Sequence, residues 1–359
     1  MENINFIKEK FREYYKKKKL SPPPDFQKRE FGFGDIKKID YRHVSFSSVD
    51  EFRRHFVEKA PLYASYSAAY YEFPSARPMQ NKKIIEADLI FEFDAKSDEK
   101  SLTPVAALEK AKEDTIRLIE DFLVNDFGIS KSKISVNFSG SRGYHIHVFD
   151  DEVKKLNSKA RRDIVRYIKP SPELIARVYD PSKNYTWHNR IKKALQQYKA
   201  LREKREDTYK EYGINKREDE RLMLIIDQLI GNKAKFDIKN KSARSAFEKL
   251  IKHYLYMKTL AVDEAVTFDM SRLIRIPNTL HGGSSLLAAK LKSLDKFNPY
   301  VDAVVFYNPP IKIKVLEAVS PFELREVKFG PFKKDEIVKI PEYAAMYLIC
   351  KGVARPYGV

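Results

Sequence analysis

The sequence predicts an α/β fold of the α+β type, in which a mixed sheet carries the polar motifs and a helical segment interrupts the chain. Period-two alternation of apolar residues, typical of half-buried strands, recurs near 62–71, 85–94, 133–139, 144–149, 271–276, 301–307 and 311–316. Residues 171–258 instead have mostly helical patterns. We therefore expect one core built from residues 1–170 and 259–359, with a helical insertion subdomain at 171–258.

Helices are expected at four places in the core. The N-terminal segment has apolar residues on one helical face, and Ser47 or Ser48 is placed to cap a helix from about 50 to 59. Two more helices are predicted near 153–168 and 341–353. The segment from Thr103 to Gly128 is expected to form a further helix.

The strand that ends at Asp94 carries two carboxylates. Glu92 and Asp94 are two residues apart, so a strand places both on one face. Two like charges this close favour a bound cation, and Mg²⁺ or Mn²⁺ suits their hard oxygen atoms. The alternative is an edge strand with a solvated acidic face.

A glycine-containing loop joins two further strands. It contains Ser139, Gly140, Arg142 and Gly143 and leads into His145. Glycines let backbone N–H groups approach an anion, and arginine suits bidentate contact with phosphate. The pattern therefore predicts an anion site, although a plain hairpin whose histidines satisfy the core is the alternative.

A third polar segment lies beyond the helical insertion. Arg272, Arg275 and His281 can supply positive charge, and Asp263 can complete a carboxylate triad with Glu92 and Asp94, but Asp269 competes for that role. The residues alone do not decide between the two aspartates. A basic surface loop is the alternative for the whole segment.

The order of these motifs resembles the small catalytic subunit of the archaeal and eukaryotic replicative DNA primase. The matching segments are D-L-I-F-E-F-D, then F-S-G-S-R-G-Y-H, then D-x-x-V-T-x-D-x-x-R-L-I-R-I-P-x-x-L-H-G, with flanking segments at both ends of the chain. The resemblance implies the mixed-sheet archaeo-eukaryotic primase catalytic core. It also implies an enzyme that joins nucleoside triphosphates de novo on single-stranded DNA.

The resemblance assigns roles to individual residues. Glu92, Asp94 and Asp263 would bind two divalent ions, Mg²⁺ or Mn²⁺, and would be the catalytic carboxylates. The triphosphate would be bound by the glycine loop with its serine, arginine and histidine and by the last motif: Ser139, Gly140, Arg142, Gly143, His145, Arg272, Arg275 and His281. Arg272 fits the pattern less closely. The implied reaction is in-line attack of a 3′-hydroxyl on an α-phosphate, with release of pyrophosphate.

A large iron–sulfur subunit is the expected partner, in a heterodimer. The alternatives are a related primase-polymerase or end-joining repair polymerase, which could share the same motifs, and a catalytically dead basic module that binds nucleic acid.

Three departures from the family pattern bear on these roles. Glu92 stands where an aspartate is usual, and Gly283 stands where archaeal relatives commonly have lysine. Relatives also carry a small zinc module, but Cys350 is the only cysteine here, so no structural zinc is expected. In its place Thr103, with Pro104 behind it, is expected to cap a helix. Its apolar positions, which repeat as far as Gly128, are Leu108, Ala111, Thr115, Leu118 and Phe122.

Composition agrees with a polyanionic partner. The formal net charge is +18 and the pI about 9.5, which favours nucleic acid. Basic residues concentrate between about Lys183 and Lys258, either as a groove wall for template or as a solvated helical subdomain of a heat-adapted protein. No apolar run is long enough to span a membrane, and the N-terminus does not resemble a secretion signal, so a cytoplasmic location is expected.

Overall fold

The computed structural model describes residues 2–95, 102–183, 186–231, 238–258 and 260–358. The chain divides into two compact units. One comprises Met1–Arg162 and Ala261–Val359, and the other comprises Asp163–Leu260. Helices and antiparallel sheets together make up the described part of the chain, which confirms the α+β class.

The strands all belong to the first unit. They are β1 Phe31–Gly34, β2 Tyr41–Val44, β3 Tyr63–Ser67, β4 Ala69–Tyr71, β5 Ile84–Ala87, β6 Leu89–Asp94, β7 Ile134–Phe138, β8 Gly143–Val148, β9 Leu273–Arg275, β10 Ile311–Val315, β11 Phe322–Leu324, β12 Val327–Phe329, β13 Ile337–Ile340 and β14 Ala354–Pro356.

The helices occur in both units. They are α1 Glu2–Lys17, α2 Val49–Lys59, α3 Val105–Arg117, α4 Asp151–Lys154, α5 Ser158–Ile168, α6 Pro172–Val178, α7 Thr186–Lys204, α8 Lys216–Met223, α9 Ile226–Ile230, α10 Lys241–Lys258, α11 Glu264–Phe268, α12 Pro299–Asp302 and α13 Glu342–Cys350. Short 3₁₀ turns form at Phe26–Lys28, Met79–Lys82, Lys131–Lys133 and Thr208–Tyr212. A π-helical segment, Leu118–Val124, continues α3.

Two sheets of the first unit carry the site. Strands β6, β8 and β7 form a three-stranded sheet in that order, and β2, β1, β3 and β9 form a four-stranded sheet. Every strand pair in the described residues is antiparallel, so the expected mixture of strand directions is wrong.

Two long predicted strands are each broken in two. The break at Ala68 separates β3 from β4, and the break at Asp88 separates β5 from β6. Two buried arginines satisfy backbone carbonyls at these breaks: Arg29 donates to Ser67 and Ala68, and Arg161 donates to Ala87 and Asp88. Because these carbonyls have side-chain donors, the chain can leave one sheet and enter another without unsatisfied backbone groups.

Some predicted elements have different boundaries or a different type. The strand expected at 301–307 is wrong, because Asn298 caps the short helix α12 and Pro299 begins it. The helix expected at 153–168 is interrupted, since Asn157 accepts bonds from the backbone of Lys159 and Ala160 and starts α5 anew. Ser48 is the N-cap of α2.

The helix predicted in place of a zinc module is present. Its N-cap is Pro104 and not Thr103, and no side chain caps it. All five predicted apolar positions are buried, and Gly128 follows with a left-handed φ of 69°. The helix α3 packs against β6 and β8. Its apolar face therefore covers one side of the sheet that carries the acidic strand.

The second unit is helical in its described residues. Helix α10 packs against α6, α7 and α8. Tyr198 donates to a buried carboxylate of Asp219 at 2.6 Å, and Arg202 donates to its other oxygen at 2.7 Å. In neither unit do the described residues include a helix with the length and apolarity needed to cross a bilayer.

Candidate active site

The register of the three-stranded sheet places the acidic strand beside the glycine hairpin. Glu92 pairs with His145 and Asp94 pairs with Gly143, while Asn137 of β7 pairs with His145 from the other side. Directly paired residues of antiparallel strands share a face. One face of this sheet therefore presents two carboxylates and an imidazole together.

This face opens into a cavity of about 410 Å³. Eight of the predicted site residues line it: Glu92, Asp94, Ser139, Arg142, His145, Arg272, Arg275 and His281. The other lining residues are Lys38, Ile39, Arg42, Ser65, Ser141, Asp269, Ser271, Leu273 and Ile274. The structure thus brings the three motifs, separated by up to about 190 residues of sequence, around one space.

The two carboxylates have different electrostatic surroundings. Burial acts to raise the pKa of Glu92, but the neighbouring His145 side chain, followed by the charges of Arg272 and Lys38, outweighs it and holds that pKa below its ordinary value. For Asp94, desolvation and then the negative charge of Glu92 raise the pKa. The pair therefore carries negative charge that nearby protein cations only partly offset.

Asp263 is beside Glu92 through its backbone. Its N–H donates to the carbonyl oxygen of Glu92 at 3.1 Å, while its exposed side chain accepts from Ala265 N–H and caps α11. Asp269 follows the same short helix, accepts from Ser271 and lines the cavity, which Asp263 does not. The structure therefore groups Glu92 and Asp94 at the cavity but leaves Asp263, the third carboxylate of the predicted triad, outside the cavity lining.

The glycines of the loop are required by close packing. A Cβ on Gly143 would lie 2.3 Å from Phe93 O and 2.4 Å from Asp94 Oδ1. Gly140 has a φ of +83°, and a Cβ there would lie 2.8 Å from His281 Cβ. All three contacts are shorter than real Cβ atoms allow. The glycines thus serve to seat the loop against the acidic strand and the last motif.

Ser139 organises this loop. Its Oγ accepts hydrogen bonds from the N–H groups of Gly143 at 3.0 Å and Ser141 at 3.4 Å. Those two amides are therefore already bonded, and the sequence-based expectation that glycine amides hold the anion is weakened. The polar side chains of the loop, those of Ser139, Ser141 and Arg142, line the cavity.

Arg275 is a buried cation without an acidic partner among the described residues. Its side chain is only 9% exposed, and the guanidinium lies 5.3 Å from the centre of the Tyr63 ring. Among the described residues, the one protein hydrogen bond that its guanidinium makes is long, 3.5 Å to Ala64 O. Burial lowers its pKa to about 10. A buried guanidinium with so few partners is suited to bind an anion that enters the cavity.

His281 can act as a neutral donor. Its Nδ1 accepts a hydrogen bond from the N–H of Gly283 at 3.1 Å, which assigns the proton of the neutral ring to Nε2. Burial, and then the charges of Arg275 and Lys38, place the pKa of His281 well below its ordinary value. The ring is therefore neutral near pH 7, with Nε2–H available to a ligand.

Three cavity residues come from a region that the motifs did not mark. Lys38 and Ile39 lie in the loop after β1, and Arg42 lies on β2, where it makes a bidentate pair with Glu30 at 2.7 and 2.9 Å. The sequence signals for them are the cluster of basic residues there and, for Arg42, the flanking segment 42–46 that resembles the primase family. Their proximity to the motifs depends on sheet pairing that periodicity does not specify.

The donor set of the acidic strand fits a divalent cation. Two carboxylates on one face supply the hard oxygens that Mg²⁺ and Mn²⁺ prefer. The buried Nδ1 of His145 has no hydrogen-bond partner in the described part of the chain. Within that same part, no three His, Cys, Asp or Glu side chains are close enough together to hold one metal ion.

The fold is α+β, and one cavity is lined by both an acidic pair and cations without an acidic partner among the described residues. Proteins of this class are suited to bind an anion together with a cation. The model of the DNA primase small subunit family matches residues 91–293 of this chain. Three relatives named DNA primase small subunit PriS are similar over nearly their whole lengths. Those from Methanosarcina barkeri and Archaeoglobus fulgidus are both 35% identical, covering 98% and 97% of this chain and 96% and 97% of the relatives. That from Methanococcoides burtonii is 32% identical and covers 98% of each chain. The chain belongs to the DNA primase small subunit family.

Proposed function

We propose that this protein synthesises primers on single-stranded DNA, joining nucleoside triphosphates de novo by nucleotidyl transfer with release of pyrophosphate. One observation carries the proposal: in a member of the primase small subunit family, the acidic pair Glu92 and Asp94 shares a cavity with the buried, unpaired Arg275. Such a cavity suits a triphosphate accompanied by divalent cations.

The carboxylates are proposed to hold the cations. Glu92 and Asp94 would bind two Mg²⁺ or Mn²⁺ ions, together with Asp263. The bond from Asp263 N–H to Glu92 O supports this third role, because it keeps the aspartate next to the acidic strand. Asp269, which lines the cavity, is the competing candidate. When bound, the ions supply Lewis acidity toward the attacking 3′-hydroxyl and neutralise charge on the leaving pyrophosphate.

The cations of the cavity are proposed to bind and orient the triphosphate. Arg275 would form charge-assisted hydrogen bonds to phosphate oxygens from a buried position, where such bonds are strong. His281 would donate from Nε2, and Arg142 would approach from the exposed side of the glycine loop. These contacts would hold the α-phosphate in line with the attacking hydroxyl and stabilise charge in the transition state.

The proposal includes partners. We infer a heterodimer with a large iron–sulfur subunit, because the chain belongs to a family named as a small subunit and the resemblance to primase implies that partner. With a single cysteine, this chain does not itself offer the ligands for such a cluster. Single-stranded DNA is the proposed template, and the net charge of +18 would favour its phosphate backbone. The helical segment at 171–258 is proposed as an insertion into the catalytic core.

The test is de novo synthesis on single-stranded DNA by the full chain, with and without the large subunit. Ribo- and deoxyribonucleotides are compared in Mg²⁺ and in Mn²⁺, and both primers and pyrophosphate are measured. The expected result is new primers with stoichiometric pyrophosphate, which Asp94→Asn abolishes and Asp50→Asn, on an exposed helix turn, does not.

Two results would contradict the proposal. Extension of supplied primers without initiation would favour a related repair or primase-polymerase activity. Binding of DNA with no nucleotide incorporation in any combination would favour a basic nucleic-acid-binding module.

A further inference from the structure

The loop between β1 and β2 supplies a cation to the cavity. Lys38 and Ile39 of this loop both line the cavity wall. Lys38 has no carboxylate within ion-pair distance among the described residues, although it lies near an acidic pair. A lysine placed this way is free to meet a ligand.

The loop is held in one conformation by Asp40. The carboxylate of Asp40 accepts three backbone hydrogen bonds, from Asp35 at 2.7 Å, Ile36 at 2.9 Å and Lys37 at 3.1 Å. The N–H of Asp40 donates to Phe33 O at 2.8 Å. The backbone of residues 35–37 thus folds back onto the carboxylate of Asp40. This fixes the path of the chain through Lys38 and Ile39.

The start of the loop is also fixed to the rest of the first unit. Asp35 pairs with Lys8 and accepts from the N–H of Leu62 at 3.2 Å. Gly34 permits the tight return, because a Cβ there would lie 2.0 Å from Lys37 O. The loop is therefore held in place by hydrogen bonds, an ion pair and a tight turn, and it is not a free surface segment.

Ile39 places the loop beside the strands that carry the cavity residues. A Cβ on Gly32 would lie 2.6 Å from Leu273 Cδ1 and 3.4 Å from Ile39 Cγ2, so glycine makes room for both side chains. Leu273 belongs to β9, which also carries Arg275. The loop and the buried arginine are thereby positioned on one continuous four-stranded sheet.

Lys38 shares the cavity with both proposed parts of the site. The acidic pair Glu92 and Asp94 and the proposed phosphate donors Arg275 and His281 line the same space as Lys38. A ligand that contacts Arg275 and His281 and is bridged to the carboxylates would pass within its reach.

We propose that Lys38 is a further phosphate-binding residue, which contacts the triphosphate of the bound nucleotide, and that Asp40 is the positioning residue that holds it there. This inference rests on the proposed function, because it takes a nucleoside triphosphate as the ligand. Nothing in the motifs assigns either residue. Lys37, whose backbone is held by the same aspartate but whose side chain does not line the cavity, provides a matched control.

The test measures binding of a fluorescent ATP analogue and of the corresponding monophosphate to the full chain in Mg²⁺. Lys38→Ala should weaken triphosphate binding by about tenfold and monophosphate binding by less than about twofold, since a lost charge-assisted contact affects mainly the distal phosphates. Lys37→Ala should match the wild type, and Lys38→Arg should recover most of the loss.

Asp40 is tested through a double-mutant cycle. Asp40→Ala should reproduce the loss of Lys38→Ala, and the double variant should be no weaker than either single variant, because both changes remove one contact. Far-UV circular dichroism checks the fold, and Asp40→Asn keeps an acceptor if Asp40→Ala fails to fold. In primer synthesis, KM for nucleotide should rise more than kcat falls.

Wild-type triphosphate affinity in Lys38→Ala, or equal losses for tri- and monophosphate, would overturn the inference while leaving the proposed function intact. Additive losses in the double variant would overturn the role of Asp40. A wild-type protein that binds no nucleoside triphosphate would overturn both the inference and the proposed function.

Discussion

Glu92 Oε1 and His145 Nε2 lie 3.6 Å apart on directly paired residues of β6 and β8. The His145 side chain is 6% exposed and that of Glu92 14%, so little solvent separates them. The imidazole therefore orients a carboxylate that we propose to be a metal ligand. Residues that contact a metal ligand in this way commonly orient it, and their loss commonly weakens metal binding.

Replacing His145 with alanine should weaken divalent cation binding. Loss of the orienting contact is expected to reduce Mn²⁺ affinity by about 10- to 100-fold. The measurement is Mn²⁺ titration followed by electron paramagnetic resonance. His147→Ala, two residues along the same strand, is the control and should have a smaller effect. Unchanged Mn²⁺ affinity in His145→Ala would show that the contact has no orienting role.

Removing one charge from the acidic pair should abolish catalysis without unfolding the chain. Glu92→Gln and Asp94→Asn are each expected to lower the rate of pyrophosphate release by about two to four powers of ten, because each removes a proposed metal ligand. Thermal unfolding should change little, since both side chains face a cavity. Near-normal primer synthesis by either variant would end the assignment of this pair.

The choice between Asp263 and Asp269 can be made with a substitution that keeps the helix cap. Asp263→Ser preserves a capping oxygen for α11 but removes the carboxylate, so its effect separates catalysis from the roughly 1 kcal/mol that a cap contributes. We expect Asp263→Ser to lose most activity and Asp269→Ser to keep more of it. The reverse order in a primer-synthesis assay would transfer the metal-binding role to Asp269.

The buried pair of Arg29 and Asp88 should dominate local stability. Both side chains are fully buried and their charged atoms are 2.7 Å apart. Asp88→Ala would leave a buried guanidinium unpaired and should cost about 3–5 kcal/mol in free energy of unfolding, measured in urea. The exposed pair of Lys83 and Glu72 is the matched control, and Glu72→Ala should change stability by less than about 1 kcal/mol. Equal effects of the two alanine substitutions would contradict this.

Stability should fall on mild acidification because of His55. Its ring lies 4.3 Å from that of Phe33, and burial, followed by the charge of Lys59, lowers its pKa from 6.5 to about 4. Between these values the unfolded chain binds a proton that the folded chain does not, so this contribution is complete above about pH 6.5 and is lost toward pH 4.

The urea midpoint of the wild type should therefore fall more between pH 7 and pH 4.5 than that of His55→Phe. Parallel pH profiles for the two proteins would show that His55 does not contribute.

The sequence predicts the parts of the site that are local. Strand β6 and the hairpin of β7 and β8 follow from period-two alternation and from glycines between the strands, and the spacing alone places Glu92 and Asp94 on one face. The pairing of β6 with β8, which brings His145 to the same face, is set by the sheet and is not predicted. Short-range patterns therefore predict the elements of the candidate site but not their register.

Long-range parts of the site are not predictable in this way. Arg275 is buried because β9 pairs with β3, a contact between residues about 210 apart, and Lys38 reaches the cavity only because β1 joins the same sheet. The strand breaks at Ala68 and Asp88 depend on donors from Arg29 and Arg161. None of these partners is implied by periodicity, since each depends on which strands pair and on which buried cation lies beside them.

Gly143 stands opposite Asp94 with no room for one additional carbon atom between them. The distance between the acidic strand β6 and the glycine loop is consequently fixed when the sheet forms. If the enzyme opens and closes during turnover, the movement has to come from other walls of the cavity. The proposed polyphosphate ligand would therefore have to fit a spacing that the sheet sets in advance.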